Sequence, residues 1–319
     1  MTPAPSRPAR TVFFGSGAFA VPILETLLAH PSVKLVGVVS VPDDARRGAV
    51  PVARRASDGG LALLQPRRLR DPESLAAIAA LDPELGVLAD YGRIVPPAIL
   101  ALPRHGFLNV HPSILPRHRG ASPIAAAIAA GDPETGVTII AMDDGLDSGP
   151  IVAAERRALA GTETGDELEA DLALAGAGLL ATTLSAWLEG TISPRAQDHA
   201  GTTMTRPLRR EDGRLDPSRP AVELERQVRA MRPWPGTFFE TDVGRVIVQR
   251  GEAAPDLATD RPGTLVGDDA GLALVTAAGR LRLLQVQPAG GRSMSGADLL
   301  RGRPSLAGSA VGHPEPVRA

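Results

Sequence analysis

The first apolar block of the chain, Thr11-Val12-Phe13-Phe14, is short and stops at Gly15-Ser16-Gly17. An unbroken apolar run of this length that ends in small turn residues reads as a buried strand. Ala18 to His30 then carries apolar side chains at helical spacing, Val33 to Val41 returns to a strand pattern, and Asp43 to Gly48 is a polar loop. Leu61–Leu64 and Leu85–Ala89 are further short strands, with helical stretches near Pro51–Ser57 and Pro72–Ala80 between the strands. Alternation of this kind predicts a mostly parallel sheet with helices on both faces. It continues with strands at Gly106–His111 and Gly136–Met142. Ser122 before Pro123 has the order of a cap and a first helical residue. Thr164 and Glu167 predict a capping box at the head of a long helix running to about Leu188.

The texture changes after that helix. Gly190 to Arg206 is polar without a countable period and reads as a linker. Pro220 to Met231 is one amphipathic helix. Short strands follow at Arg245–Val248, Thr264–Val266, Leu272–Val275 and Arg280–Val286, separated by Gly, Asp and Pro. That pattern predicts a small barrel or sandwich.

Composition narrows the function classes. A chain of 319 residues with 43% hydrophobic content can bury two cores, which excludes general disorder. No apolar run approaches the roughly 18 residues of a membrane span. The stretch Met1–Arg10 has no apolar segment of the secretory kind, and the absence of cysteine removes disulfides and thiol nucleophiles. The expected location is the cytoplasm, with no membrane partner. A net charge of -2 is not that of a globally basic nucleic-acid binder. The charge is uneven, however: residues 201–319 hold 17 Arg against 14 acids, and residues 1–200 hold 17 Lys+Arg against 22. This is either compositional scatter or a C-terminal half that meets something anionic.

Two turns compete for the chemistry. Gly15-Ser16-Gly17-Ala18-Phe19-Ala20, with Asp43 and Asp44 a little over twenty residues on, fits the outline of a dinucleotide fingerprint. It fits equally a tight turn that needs small residues for packing. The denser polar cluster is Asn109-Val110-His111 at the end of a strand, with Asp147 in the acidic loop after another strand. Asn109 and His111 are two apart and point to one face. An amide, an imidazole and a carboxylate suit acyl transfer to an amine, whose attack on a carbonyl develops an oxyanion that N–H donors stabilise. Each feature alone is commonly a cap or a turn; their joint occurrence carries the reading. His111 and His118, seven apart across two prolines, make a poor metal pair, and no metal is expected.

At this point the residues resemble a family. Gly106–Ile124, containing Asn109-Val110-His111-Pro112-Ser113-Ile114-Leu115-Pro116, is similar to the signature of 10-formyltetrahydrofolate-dependent formyltransferases, and Gly136–Gly149 to its partner motif. Thr11–Leu28, Asp90–Pro96, Leu224–Gly236 and Gln287–Ser295 are similar to the branch that acts on methionyl-tRNA, so the resemblance spans about Arg10 to Pro304. It implies an α/β fold: a Rossmann-like, mostly parallel catalytic domain at 8–189, the linker at 190–206, and a small OB-like β-barrel at 207–310 that binds tRNA. It implies Asn109, His111 and Asp147 as the catalytic trio. It implies a folate site at Ser113, Ile114, Leu115 and Pro116, with Tyr91, Gly92, Ile94, Asp143 and Gly145. Methionyl-initiator tRNA would be the partner of a monomer, and Arg46, Arg47, Arg206, Arg209 and Arg210 would meet it; Arg214 and Arg219 extend that arginine run. One departure stands out. The branch carries a longer basic loop after the second strand, and Pro42–Val52 here is short and without lysine. The other readings are a formyltransferase for a small amine, a dehydrogenase built on the Gly15 turn, and an RNA-binding module.

Overall fold

The computed structural model describes residues 7–44, 48–242, 244–255, 261–268 and 271–312; Arg46 and Arg47 lie outside the described residues. The chain divides into two compact units. The first holds the chain up to Pro123, Glu134–Ala158 and Leu168–Arg206; the second holds Ile124–Pro133, Leu159–Glu167 and the chain from Pro207.

The elements run β1 (Ala9–Gly15), α1 (Ala20–Ala29), β2 (Val33–Val39), α2 (Pro51–Asp58), β3 (Leu63–Leu64), α3 (Pro72–Ala79), β4 (Leu85–Ala89), α4 (Pro97–Leu100), β5 (Phe107–His111), β6 (Arg119–Gly120), α5 (Pro123–Ala130), β7 (Glu134–Ala141), β8 (Ile151–Ala158), α6 (Gly165–Leu188) and β9 (Met204–Thr205). The first unit is built on a seven-stranded sheet in the order β3-β2-β1-β4-β5-β7-β8. Its first five strands are parallel, as the strand–helix alternation predicts. Their runs are apolar because such a sheet is covered on both faces. Val12, Phe14, Tyr91, Val95, Ile99 and Phe107 form one buried cluster, and Phe14 meets the rings of Tyr91 and Phe107 edge-on at 5.3 and 5.4 Å. α6 is long and apolar enough, by length and composition alone, to cross a membrane. Here it is a core helix. It buries Leu168, Leu172, Leu180 and Leu184, and Gly176 lets it approach Val110 and Val137 so closely that an added Cβ would lie 2.9 Å from Val110 Cγ1.

The last two strands depart from the parallel plan: β7 is antiparallel to β5, and β8 to β7. β8 is absent from the apolar pattern because Ile-Val-Ala-Ala-Glu-Arg-Arg-Ala is an edge strand with Glu155–Ala158 exposed, and edge charges discourage pairing with other chains. The stretch read as a linker is structured. Its Ile151–Arg195 bridge and the pairing of β9 with β6 tie it to the first unit.

The second unit contains α7 (Ala221–Ala230), β10 (Thr237–Thr241), β11 (Gly244–Ala254), β12 (Leu265–Asp268), β13 (Gly271–Val275), β14 (Arg280–Pro288) and α8 (Gly296–Gly302). Its strands form an antiparallel sheet in the order β10-β11-β14-β13-β12. The core is Leu224 and Val228 of α7 with Phe239, Val246, Leu274, Leu281 and Leu283. The sheet edges are bridged by the segment 308–312. Gly308 N and Val311 N donate to Leu265 O and Gly263 O beside β12, and Gly312 N donates to Glu240 O of β10. That segment gives the sheet the closure of a barrel, which removes both open edges.

Candidate active site

β5 supplies Asn109 and His111, two residues apart on one face of the sheet and each 5% exposed. Asp147 reaches them by a route the parallel pattern does not foresee. Because β7 runs antiparallel, its carboxyl end lies beside Leu108, toward the start of β5. The connection to β8 then turns back over the face that carries Asn109 and His111. Asp147 takes a left-handed backbone conformation, φ 50°, which Asp adopts more readily than most residues with a Cβ but still at some cost.

The three side chains are joined. Asn109 Nδ2 donates to Asp147 Oδ1 at 2.9 Å. Gly120 N donates to Asp147 Oδ2 at 2.8 Å, and His111 Nδ1 faces the same oxygen at 3.7 Å. His111 Nε2 lies 2.9 Å from the carbonyl of His118. A carbonyl only accepts, so Nε2 carries a hydrogen there and Nδ1 is the nitrogen left to gain or lose a proton. Asn109 keeps a second amide hydrogen beyond the one given to Asp147. The cluster can therefore offer N–H groups to a developing oxyanion and a carboxylate–imidazole pair to a moving proton.

The segment after β5 is braced from within. Ser113 Oγ donates to Arg117 O at 2.7 Å, Leu115 N donates to Thr138 Oγ1 at 3.1 Å, and Thr138 Oγ1 donates to Ser113 O at 2.7 Å. Ser113, Leu115 and Tyr91 are buried, and the Tyr91 hydroxyl has no hydrogen-bond partner among the described residues. The side chains of these three are thus committed to the fold, and a ligand would meet their backbone. Gly92, Ile94, Asp143 and Gly145 lie in two exposed loops, where Ile94 is 78% exposed. Such an apolar side chain open to solvent, among backbone N–H and C=O groups, suits a flat heteroaromatic ring. Arg206, Arg209 and Arg210 are exposed. Arg219, in the same run, is held by Glu223 and Gln227, and Arg214 lies over the Phe238 ring.

The sequence pattern missed Gly120 and Gln197, both bonded to Asp147, and Arg119, which is bonded to Gln197. Gly120 has φ 104°, and its motif was the available signal. Gln197 sits in the stretch read as a linker, where no period marked it.

The Gly15-Ser16-Gly17 turn is occupied by the protein itself. Ser16 N and Gly17 N donate to Asp90 O at 3.0 and 3.3 Å. A Cβ on Gly17 would fall 1.7 Å from Asp90 Oδ2, so the carboxyl group fills the space beside the glycine. A pyrophosphate needs free N–H donors and no competing acid, so this turn does not serve as a dinucleotide cradle.

Comparison with known proteins places the chain in a family. Residues 9–184 match the family described as Formyl transferase, and residues 207–304 match its C-terminal domain. A protein of Roseiflexus sp. (strain RS-1) named methionyl-tRNA formyltransferase is 44% identical over 312 residues, 96% of each chain. One of the same name from Myxococcus xanthus (strain DK1622) is 42% identical over 311 residues, 95% of this chain and 98% of that one. Among solved structures, the N-formyltransferase of Helicobacter canadensis, crystallised with folinic acid and dTDP-3-aminofucose, superposes with a TM-score of 0.65 at 15% identity, over 86% of this chain and 98% of that one. At that identity the likeness concerns the fold. Matched over both of its units and across nearly its whole length, the chain belongs to the formyl transferase family, in its methionyl-tRNA formyltransferase branch.

Proposed function

We propose that the chain moves the formyl group of 10-formyltetrahydrofolate onto the free amine of methionyl-initiator tRNA, in the cytoplasm and at the start of translation. The observation that carries the mechanism is the Asn109–Asp147 hydrogen bond, with His111 Nδ1 facing the same carboxylate. The amine nitrogen attacks the formyl carbon, a C–N bond forms, and the carbonyl oxygen becomes an oxyanion. The free amide hydrogen of Asn109 and the Nδ1–H of protonated His111 stabilise it, each such donor being worth about 10²–10³ in rate. Asp147 holds the imidazolium and, through water, takes the proton that the nitrogen sheds once the new C–N bond has formed. The oxyanion then re-forms the carbonyl as the bond to N10 of the folate breaks, and N10 leaves with the proton that Asp147 returns through the same water. No covalent enzyme intermediate is needed, because the amine is itself the nucleophile. One copy of the chain carries all three groups, which supports a monomer as the working unit.

The folate is assigned to the backbone of Tyr91, Gly92, Ser113, Ile114, Leu115 and Pro116, with Ile94, Asp143 and Gly145 at the open side. The RNA is assigned to Arg46, Arg47, Arg206, Arg209 and Arg210. The exposed Arg206, Arg209 and Arg210 are suited to phosphates by charge and geometry. The test is transfer of labelled formyl from 10-formyltetrahydrofolate to methionine-charged initiator tRNA by the purified chain. Product with an amino-sugar nucleotide and none with charged tRNA would overturn the acceptor. The same assay with Arg206, Arg209 and Arg210 changed to Ala checks the RNA path. Each lost phosphate contact should lower the salt slope by up to about 1, and an unchanged slope would place the RNA elsewhere.

A further inference from the structure

The left-handed turn at Asp147 is held by the fold around it. What lies against it is the side chain of Gln197, which is 6% exposed. Gln197 Nε2 donates to Asp147 O at 2.9 Å and to Gly149 O at 2.7 Å, clamping the turn on both sides of Ser148. Its Oε1 accepts twice from Arg119, from Nε at 3.2 Å and from a terminal nitrogen at 2.7 Å. That terminal nitrogen also lies 3.2 Å from His199 Nδ1. The residue after Arg119 is Gly120, whose N–H donates to Asp147 Oδ2. The bonds close a ring. It runs from the Asp147 carbonyl through Gln197 to the Arg119 guanidinium, along the chain to Gly120, and back to the Asp147 carboxylate. Asp147 is fixed at its backbone and at its side chain by one buried circuit, and Arg119 is 7% exposed.

We propose that Gln197 is a positioning residue for formyl transfer, acting through Asp147 and held in turn by Arg119. This rests on the role assigned to Asp147 above. The physical reason is geometric. A side-chain amide has two donors and one acceptor oxygen in a fixed plane, so it can bridge two carbonyls while accepting from a guanidinium. A carboxylate in this position would keep the Arg119 bonds but could not donate to either carbonyl. An apolar side chain would do neither and would leave buried polar groups unpaired. With the clamp gone, Asp147 would relax toward ordinary backbone angles and shift its carboxylate relative to His111 and Asn109. A displacement of about 1 Å at a reacting group costs about 10²-fold in rate.

The test is a double-mutant cycle on the full chain, in the formyl-transfer assay with charged tRNA, with Gln197→Leu, Asp147→Asn and both together. Gln197→Leu should lower kcat by about 10- to 100-fold while the KM for the folate stays near its original value. In the Asp147→Asn background, the same change should cost less than a few-fold, because the group it positions is already disabled. Gln197→Glu, which keeps the acceptor for Arg119, should reproduce the loss and the coupling, and it carries the cycle if Gln197→Leu does not fold. A full-sized loss in both backgrounds, or a normal kcat in Gln197→Glu, overturns the proposal and leaves Gln197 a brace of the fold alone. A normal kcat in Asp147→Asn by itself would instead remove the role of Asp147, and the proposal with it.

Discussion

Two aspartates at loops of the same sheet share an unusual conformation and meet opposite surroundings. Asp90 follows β4 with φ 44°, and Asp147 follows β7 with φ 50°. Donors converge on Asp147: the Asn109 amide and the Gly120 N–H, with His111 Nδ1 opposite. Asp90 has its backbone carbonyl taken by Ser16 and Gly17, while its carboxyl group presses against Gly17. Asp90 is an exposed residue, but its carboxyl group is enclosed on the Gly17 side. That enclosure, and behind it the charge of Glu169, push its carboxyl up to about 7. One carboxylate is thus surrounded by donors, while the other lies against a glycine turn with another acid behind it.

The largest test of that contrast is on the donor side. Asn109→Ala should lower kcat by about 10²–10³-fold, with the folate dissociation constant little changed. Steady-state formylation beside a folate titration measures both, and near-normal turnover would remove the oxyanion role. Asp90→Asn, measured alongside, should stay within a few-fold of the original kcat; a loss as large as that of Asn109→Ala would make Asp90 a reagent too.

Ligand protection separates the two turns next. Reduced folate at roughly a hundredfold over its Kd should stabilise the folded chain by about 2.7 kcal/mol. NADH should leave the thermal midpoint unmoved, because Asp90 fills the glycine turn. Protection by NADH and none by folate would reverse the assignment of both sites. The plug itself can be probed by packing. Gly17→Ala should destabilise by about 1–3 kcal/mol through overpacking against Asp90, and most of that loss should vanish in an Asp90→Ala background. Equal losses in the two backgrounds would mean that Gly17 is crowded by something else.

The last test is a pH dependence. A raised carboxyl binds its proton more tightly in the folded chain than in the unfolded one. Between the ordinary value of 3.8 and about 7, the unfolded chain has released the proton and the folded chain retains it. Stability contributed by Asp90 is therefore complete below that window, falls as pH rises through it, and is lost above about 7. Denaturation midpoints of Asp90→Asn should be flatter across this window than those of the original chain. Parallel curves would show that the recess does not hold the proton.

Much of this was legible in the chain. Short apolar runs alternating with helical spacing placed β1 to β5 to within two residues at most ends, because such strands have no solvent face to vary. The capping box is half realised: Glu167 accepts from Thr164 N at 3.0 Å, while the Thr164 hydroxyl donates to the carboxylates of Glu167 and Asp166. β8 and β9 were hidden, one by its edge charges and the other by being two residues long. In the second unit the pattern missed β10 and α8, whose short Thr-Phe-Phe-Glu-Thr and Gly-Ala-Asp-Leu-Leu-Arg-Gly carry too few periods to count.

The sequence by itself determined the five parallel strands of the first unit, the strand-rich second unit, and the pairing of Asn109 with His111, since a period of two puts both on one face whatever else the chain does. It also carried the motifs by which the family is known. Only the tertiary structure decided how Asp147 arrives, because strand direction in β7 is set by its neighbours rather than by its own residues. Only the fold could make a ligand-like glycine turn into a filled one, through an aspartate more than seventy residues away in the chain. Only the fold joined Gln197 to Asp147 across fifty residues. Local periodicity records which face of an element is buried; it holds no information on which distant polar group comes to satisfy a given carbonyl, and at this site those distant bonds hold Asp147.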